Sequence, residues 1–122
     1  MKGFLKFGRK KPAKIEKEDF YRNKYAIKTE WWLDSCSLPE LRWARLRVFN
    51  DKSADACFGE KEKIYAFENR EYASSFLSKD EYISLDRLNS DAEREYGLAV
   101  ETIKPPLWKD GPEQDFEYLG KY

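Results

Sequence analysis

Histidine is absent from the 122 residues of this chain, and its absence excludes several kinds of site. Without an imidazole there is no Ser-His-Asp or Cys-His nucleophile, no histidine metal ligand and no histidine pH switch. Cysteine is scarce as well, because Cys36 and Cys57 are the only two. Two thiols cannot complete the tetrahedral ligand set that zinc prefers, so we expect no metal centre. Both thiols stand near apolar residues, which predicts that both are buried.

Long apolar runs and the usual cofactor motifs are also missing. The mean hydropathy is −0.87, and no stretch approaches the roughly 18 apolar residues that a membrane-spanning helix needs. No P-loop, dinucleotide-binding or nucleophile-elbow motif occurs. The first residues lack the apolar segment of a signal peptide, and Lys2 stands where myristoylation requires glycine. We therefore expect a cytoplasmic protein that is not an enzyme and has no cofactor.

The composition suffices for one folded domain. Hydrophobic residues make up 41% and charged residues 38% of the sequence, a balance that is typical of a globular protein. A chain of 14.6 kDa can bury about two thirds of its unfolded surface, which is enough to fold without a metal or a disulfide. The length leaves little room for a second domain.

Charge is distributed unevenly along the chain. Residues 1–14 contain six basic residues and no acidic one: Lys2, Lys6, Arg9, Lys10, Lys11 and Lys14. Because the whole chain is neutral, residues 15–122 carry a net charge of −6. We predict that residues 1–14 form a flexible basic arm. Residues 15–122 are predicted to form a single α+β domain that ends in an extended tail, residues 105–122.

Alternation of polar and apolar residues predicts a sheet in the first half of this domain. A short helical turn over residues 15–22 precedes a first strand that begins near Tyr25. Further strands are expected over 41–49, 53–58 and 64–67, because these segments alternate and are bounded by turn residues.

The loop between the second and third of these strands sets their register. A three-residue loop, 50–52, places the apolar side chains of both strands on one face and sets Arg47 opposite Asp55. A four-residue loop would put Val48 opposite Asp55 and mix the faces. The three-residue loop requires a left-handed backbone at Lys52, which costs about 1 kcal/mol.

Across the next turn, small residues are expected to face large ones. A turn over residues 60–61 pairs Ala56 with Tyr65 and Ala54 with Phe67, which is the complementarity that a packed sheet face needs. These strands together predict an antiparallel meander of three to five strands.

Helix signals follow the meander. Asn69 is a favourable N-cap, and the apolar stripe after it has helical spacing. Residues 78–81 and 90–93 each match the capping-box pattern, so a short helix is expected to begin at each, the second ending at Gly97. Residues 116–119 are expected to form a last edge strand. The predicted fold is therefore α+β: an antiparallel meander of three to five strands with two or three short helices packed on one face.

The sheet face opposite this core, the second face, carries aromatic and basic side chains: Trp43, Arg45, Arg47, Phe49 and Ile64. Guanidinium groups beside an indole can bind carboxylates or phosphates, so a protein ligand is one interpretation. Single-stranded nucleic acid is another, because it binds to aromatic and basic sheet faces. A third interpretation is structural, with Arg47 paired to Asp55 and the Arg45 stem lying on Trp43.

Two adjacent tryptophans make the second face more apolar. Trp31 and Trp32 must point to opposite faces of the first strand, so one of them belongs to the second face. That face is then too apolar to remain in contact with water. Either the tail, residues 105–122, covers it, or another chain does.

These features suggest two kinds of function. The apolar and basic second face and the separated charges favour a small interaction module: a regulator, an assembly factor or an inhibitor of another protein. The alternative is binding to an anionic surface, RNA, DNA or an acidic membrane, through the basic arm. The negative net charge of the body counts against a dedicated nucleic-acid domain. No small-molecule substrate is expected.

Overall fold

A six-stranded mixed sheet with three short helices forms the part of the chain that the computed structural model describes, residues 14–88 and 90–122. The helices are α1 (Lys17–Tyr21), α2 (Arg70–Lys79) and α3 (Ser90–Tyr96). The strands are β1 (Ala26–Asp34), β2 (Trp43–Phe49), β3 (Ala54–Cys57), β4 (Ile64–Phe67), β5 (Tyr82–Ser84) and β6 (Phe116–Gly120). The α+β class is confirmed.

The strand order is β5-β1-β2-β3-β4-β6, which extends the predicted meander at both edges. The antiparallel meander is confirmed for β1 to β4, but β6 is parallel to β4, so the sheet is mixed and larger than predicted. The direction of β6 follows from the path of the tail. The tail returns to the start of β4, where the N–H of Ile64 donates to the carbonyl of Asp115 at 2.9 Å, and β6 therefore runs alongside β4.

The predicted register of the β2–β3 hairpin is confirmed. Val48 lies opposite Ala54, and Arg47 lies opposite Asp55. Lys52 has a φ of +78°, the left-handed backbone that the three-residue loop requires. The next turn also gives the predicted pairing, since Ala54 lies opposite Phe67. Period-two alternation was therefore sufficient to align three strands.

Replacing Lys52 with glycine is expected to stabilise the protein. A side chain in the left-handed region costs about 1 kcal/mol, and glycine removes that cost. Part of the gain is offset because glycine loses more backbone freedom on folding. We expect Lys52→Gly to raise the melting temperature by a few degrees in a calorimetric scan. A lower melting temperature would contradict this account of the turn.

Helix α2 packs on the first face of the sheet, as its sequence predicts. The Asn69 side chain accepts a hydrogen bond from the N–H of Tyr72 at 3.0 Å, which confirms the N-cap. Ala73 and Leu77 are fully buried against the sheet. The first-face core comprises Trp32, Ala44, Leu46, Ala54, Ala56, Phe67, Ala73 and Leu77.

The helix predicted to begin at Ser78 does not form. Helix α2 continues through Ser78 to Lys79, and Glu81 follows with a φ of +67°. The next residues form β5, in which Ile83 lies opposite Leu33 of β1. Pairing with the existing sheet stabilises these half-buried residues. This stabilisation outweighs the local preference of Ser78 to begin a helix.

The helix predicted from residues 90–93 is confirmed as α3, and Gly97 follows it with a φ of +71°. Within the described ranges, no helix is both long and apolar enough to cross a membrane.

The predicted helical turn over residues 15–22 is confirmed as α1. However, α1 packs on the second face, where Phe20 is buried against Phe49, so the helices do not share one face as predicted.

Most of the basic arm lies outside the described residues, namely Lys2, Lys6, Arg9, Lys10 and Lys11. Lys14 is described, and its side chain is 89% exposed, 3.8 Å from the carboxylate of Glu16.

Candidate functional site

Helix α1 and the tail together cover much of the second face. The Lys17 ammonium group ties these two segments together, because it donates to the carbonyls of Gly111 and Gln114, each at 3.1 Å. Phe116 of β6 packs against Phe20 of α1, with ring centroids 5.5 Å apart. The tail therefore covers part of the second face, which is one of the two alternatives expected from the sequence, and α1 adds to it.

This cover changes what the predicted partner-binding residues present to solvent. Ile64 is fully buried, Phe49 is 3% exposed and Arg45 is 6% exposed. The Arg47 side chain is 17% exposed, and Trp43 is half-buried. Three of these residues, Arg47, Phe49 and Ile64, line one cleft of about 440 Å³ between α1 and the tail. Trp43 is thus the predicted residue with an open aromatic surface.

A charge network lies beneath the cover and joins three distant parts of the chain. Arg47 donates through Nε and Nη2 to the two carboxylate oxygens of Asp55, at 3.1 and 2.6 Å. Its Nη1 lies 2.9 Å from Asp110 of the tail, to which Arg45 also donates at 2.9 Å. The Tyr21 hydroxyl of α1 donates to Asp55 at 2.6 Å. Sheet, tail and α1 are therefore linked through paired charges.

The titration behaviour of these groups follows from their burial and pairing. Burial raises the pKa of Tyr21, and the adjacent carboxylate of Asp55 raises it further, so the phenol keeps its proton and remains a donor. Burial alone would lower the pKa of Arg47, but its hydrogen bonds and charge interaction with Asp55 outweigh burial and raise it. The geometry of the network makes it a structural link between three segments.

Stability is expected to fall in acid because of Asp110. Partial burial alone would raise the pKa of this carboxyl, but the hydrogen bond from Arg45 and the charges of Arg47 and Arg45 lower it below its ordinary 3.8. A lowered folded-state pKa stabilises the protein above the ordinary pKa, and this contribution is lost as the pH falls through the lowered value. Urea unfolding at about pH 6 and about pH 3 should show a smaller loss for Asp110→Asn than for the unmodified chain. The exposed control Asp19→Asn should behave like the unmodified chain, and equal losses in all three would contradict this role.

The two thiols occupy different environments. Cys57 is buried as predicted; its thiol donates to the carbonyl of Gly59 at 2.9 Å, and burial raises its pKa. Gln114 lies beside it and donates from Nε2 to the carbonyls of Glu60 and Glu62 at 2.9 and 2.8 Å. The prediction that Cys36 is also buried is wrong. Cys36 is exposed in the turn after β1, and both thiols are free.

Three tryptophans form a separate feature at the open end of the second face. The Trp31 ring meets Trp43 edge-to-face at 5.9 Å and Trp108 edge-to-face at 5.1 Å. All three are half-buried, and we refer to them as the tryptophan patch. Trp32 is buried on the first face, which confirms that adjacent tryptophans point to opposite sides. Leu107, directly before Trp108, is 95% exposed.

Sequence reasoning found part of this arrangement. The Arg47–Asp55 pair follows from the hairpin register, and Trp43 follows from strand parity. Tyr21 and Asp110 were missed, because they reach the network from segments that have no periodic relation to the sheet. A tyrosine in a helical turn and an aspartate two residues after a tryptophan carry no local signal of such a contact.

The described residues bring no three cysteine, aspartate or glutamate side chains together in a way that could hold a metal ion. No known family model matches the chain, and neither the curated proteins nor the solved structures compared with it include a match.

Proposed function

We propose that this protein is a small cytoplasmic interaction module that acts without catalysis, as a regulator, an assembly factor or an inhibitor of another protein. The observation that carries the proposal is the tryptophan patch, in which the Trp31 ring contacts both Trp43 and Trp108 and all three residues are half-buried. Large aromatic side chains with an open surface are the residues that most often dominate protein interfaces.

The geometry of the patch favours binding at a low entropic cost. Each indole contact is close to perpendicular, at 86° and 84°, which is the favourable edge-to-face arrangement. The carbon of the Arg45 guanidinium lies 5.9 Å from the Trp108 ring centroid, within the range of a cation–π interaction. Rings that are already ordered lose little freedom when a partner binds. Leu107 adds an aliphatic side chain that makes almost no contact within the chain.

Affinity capture with two matched variants tests the proposal. The full chain, Leu107→Asp and Ile27→Asp are compared in lysate treated with nuclease, at low and high salt. Both substitutions place a carboxylate on an exposed apolar residue, since Ile27 is 52% exposed on β1. A stoichiometric protein partner should be retained by the full chain and by Ile27→Asp and lost with Leu107→Asp. Equal retention by both variants would contradict a binding surface formed by Leu107 and the tryptophan patch.

The same experiment distinguishes the alternative function. Binding through the basic arm predicts capture of nucleic acid or lipid that disappears at high salt, because phosphate contacts release counterions. It also predicts loss on deletion of residues 1–14, which removes the whole arm. That outcome would transfer the function from the tryptophan patch to the arm.

A further inference from the structure

Two adjacent prolines, Pro105 and Pro106, begin the tail. They lie within residues 103–111, which form neither helix nor strand, and the peptide bonds before both prolines are trans. A proline ring fixes φ at about −65°, and a residue that precedes a proline is held in the extended region of the backbone. Lys104 and Pro105 each precede a proline. These restrictions favour a left-handed polyproline II helix over residues 104–106.

The burial of this segment repeats every three residues. Ile103 and Pro106 are half-buried, whereas Lys104, Pro105 and Leu107 are exposed. A polyproline II helix has three residues per turn, so side chains three positions apart lie on the same ridge. One ridge, formed by Ile103 and Pro106, therefore lies on the body of the protein. The other two ridges face the solvent.

The segment is held at both ends. Before it, the N–H of Ile103 donates to the carbonyl of Val100 at 3.1 Å, at the end of a short 3₁₀ turn. After it, Trp108 packs in the tryptophan patch, and the N–H of Lys109 donates to the carboxylate of Glu60 at 3.2 Å. Among the described residues, no backbone N–H between these two anchors donates a hydrogen bond. A segment that is already ordered at both ends loses little freedom when it binds a partner.

The open ridges carry apolar side chains beside a cation. Leu107 is 95% exposed, and Lys104 lies on the same ridge about 9 Å away along the helix axis. No ion pair between described residues involves Lys104. Apolar ridges of this kind fit a groove lined by aromatic side chains, which is how proline-rich segments are recognised. An acidic side chain beside such a groove would complement Lys104.

We infer that the partner of this surface is a protein domain with an aromatic-lined groove, of the kind found in SH3 and WW domains, which binds residues 104–107 as a polyproline II ligand. This inference rests on the proposed function and names the class of its protein partner. A short segment suffices because the prolines restrict the backbone before binding, so little entropy is lost. Trp108 follows the segment directly, so the same partner can contact the tryptophan patch.

A panel of purified SH3 and WW domains tests the class of partner. The full chain should bind at least one of these domains. Pro105→Ala should weaken that binding about tenfold or more, because it removes both the ring and the restriction of the backbone. Pro112→Ala is the matched control, since Pro112 is also an exposed proline of the tail, and it should leave the Kd unchanged. Failure of every domain to bind, or equal weakening by the two variants, would overturn the inference.

A chemical-shift titration locates the contact without any substitution. Adding a domain that binds to the ¹⁵N-labelled full chain should shift the amide signals of Lys104 and Leu107. The amide signal of Ser75, an exposed residue of α2, should stay in place. Unchanged signals at Lys104 and Leu107 would place the contact elsewhere and contradict the inference.

Lysate capture separates this inference from the proposed function. If the partner binds through a polyproline II groove, Pro105→Ala should lose it as Leu107→Asp does, and Pro112→Ala should retain it. Loss with Leu107→Asp but full retention with Pro105→Ala would overturn the inference and leave the proposed function intact.

Discussion

Replacing Asp55 with alanine is expected to lower the free energy of unfolding by about 3–5 kcal/mol. Asp55 is 1% exposed, and it accepts two hydrogen bonds from Arg47 and one from Tyr21. Its removal leaves Asp110 as the remaining counter-charge of a largely buried guanidinium among the described residues, and it leaves the phenol without its acceptor. The loss is large because a buried charge deprived of its partner is not rehydrated. Urea unfolding measures it.

Two comparisons separate this effect from the general effect of losing a carboxylate. Asp19→Ala removes an exposed partner of Arg22, 2.8 Å away, and should cost less than about 1 kcal/mol. Adding Arg47→Met to Asp55→Ala removes the unpaired cation and should recover part of the stability. A loss under about 1 kcal/mol for Asp55→Ala alone would contradict the proposed role of the network.

Replacing Phe67 with alanine is expected to cost about 3–5 kcal/mol. Phe67 is fully buried on β4, and its ring packs against Phe76 of α2 at 5.2 Å and against Tyr122 at 6.3 Å between ring centroids. Truncation removes the apolar surface of the ring and leaves a cavity between the sheet and α2. The loss would be a large fraction of the roughly 5–15 kcal/mol by which a domain is typically stable.

Tyr25→Ala provides the matched control for this truncation. Tyr25 is an aromatic residue of similar size that is 66% exposed, so its removal should change stability by about 0.5 kcal/mol or less. Both variants are compared by urea unfolding, with the slope of the transition checked for a change in the unfolded state. Similar losses for the two variants would show that the first-face core does not depend on Phe67.

The two large expected losses concern opposite faces of one sheet. On the first face, apolar packing holds α2, and its essential residues are recognisable from helical and strand spacing. On the second face, α1 and the tail are held partly by Phe20 and partly by the charge network around Asp55. The tryptophan patch lies at the open end of this second face, where the cover is incomplete.

Several features of this protein follow from short stretches of its sequence. The hairpin register follows from alternation on both sides of residues 50–52, because a shift of one residue would turn every side chain to the other face. The start of α2 at Asn69 and the position of Gly97 follow from capping chemistry, which acts within one helical turn. Each of these signals depends on residues fewer than about ten positions apart, so neighbouring residues are sufficient to express it.

Other features arise only when distant segments compete for the same surface. Ser78 begins no helix, because Ile83 and its neighbours extend the sheet at β1 instead. Strand β6 runs parallel to β4 because the tail first crosses the second face. Tyr21 and Asp110 join the charge network only when α1 and the tail pack on that face. Such contacts join residues as far as 97 positions apart, as in the bond from Lys17 to the carbonyl of Gln114. Their formation depends on the free energy of burying whole faces, which no local spacing encodes.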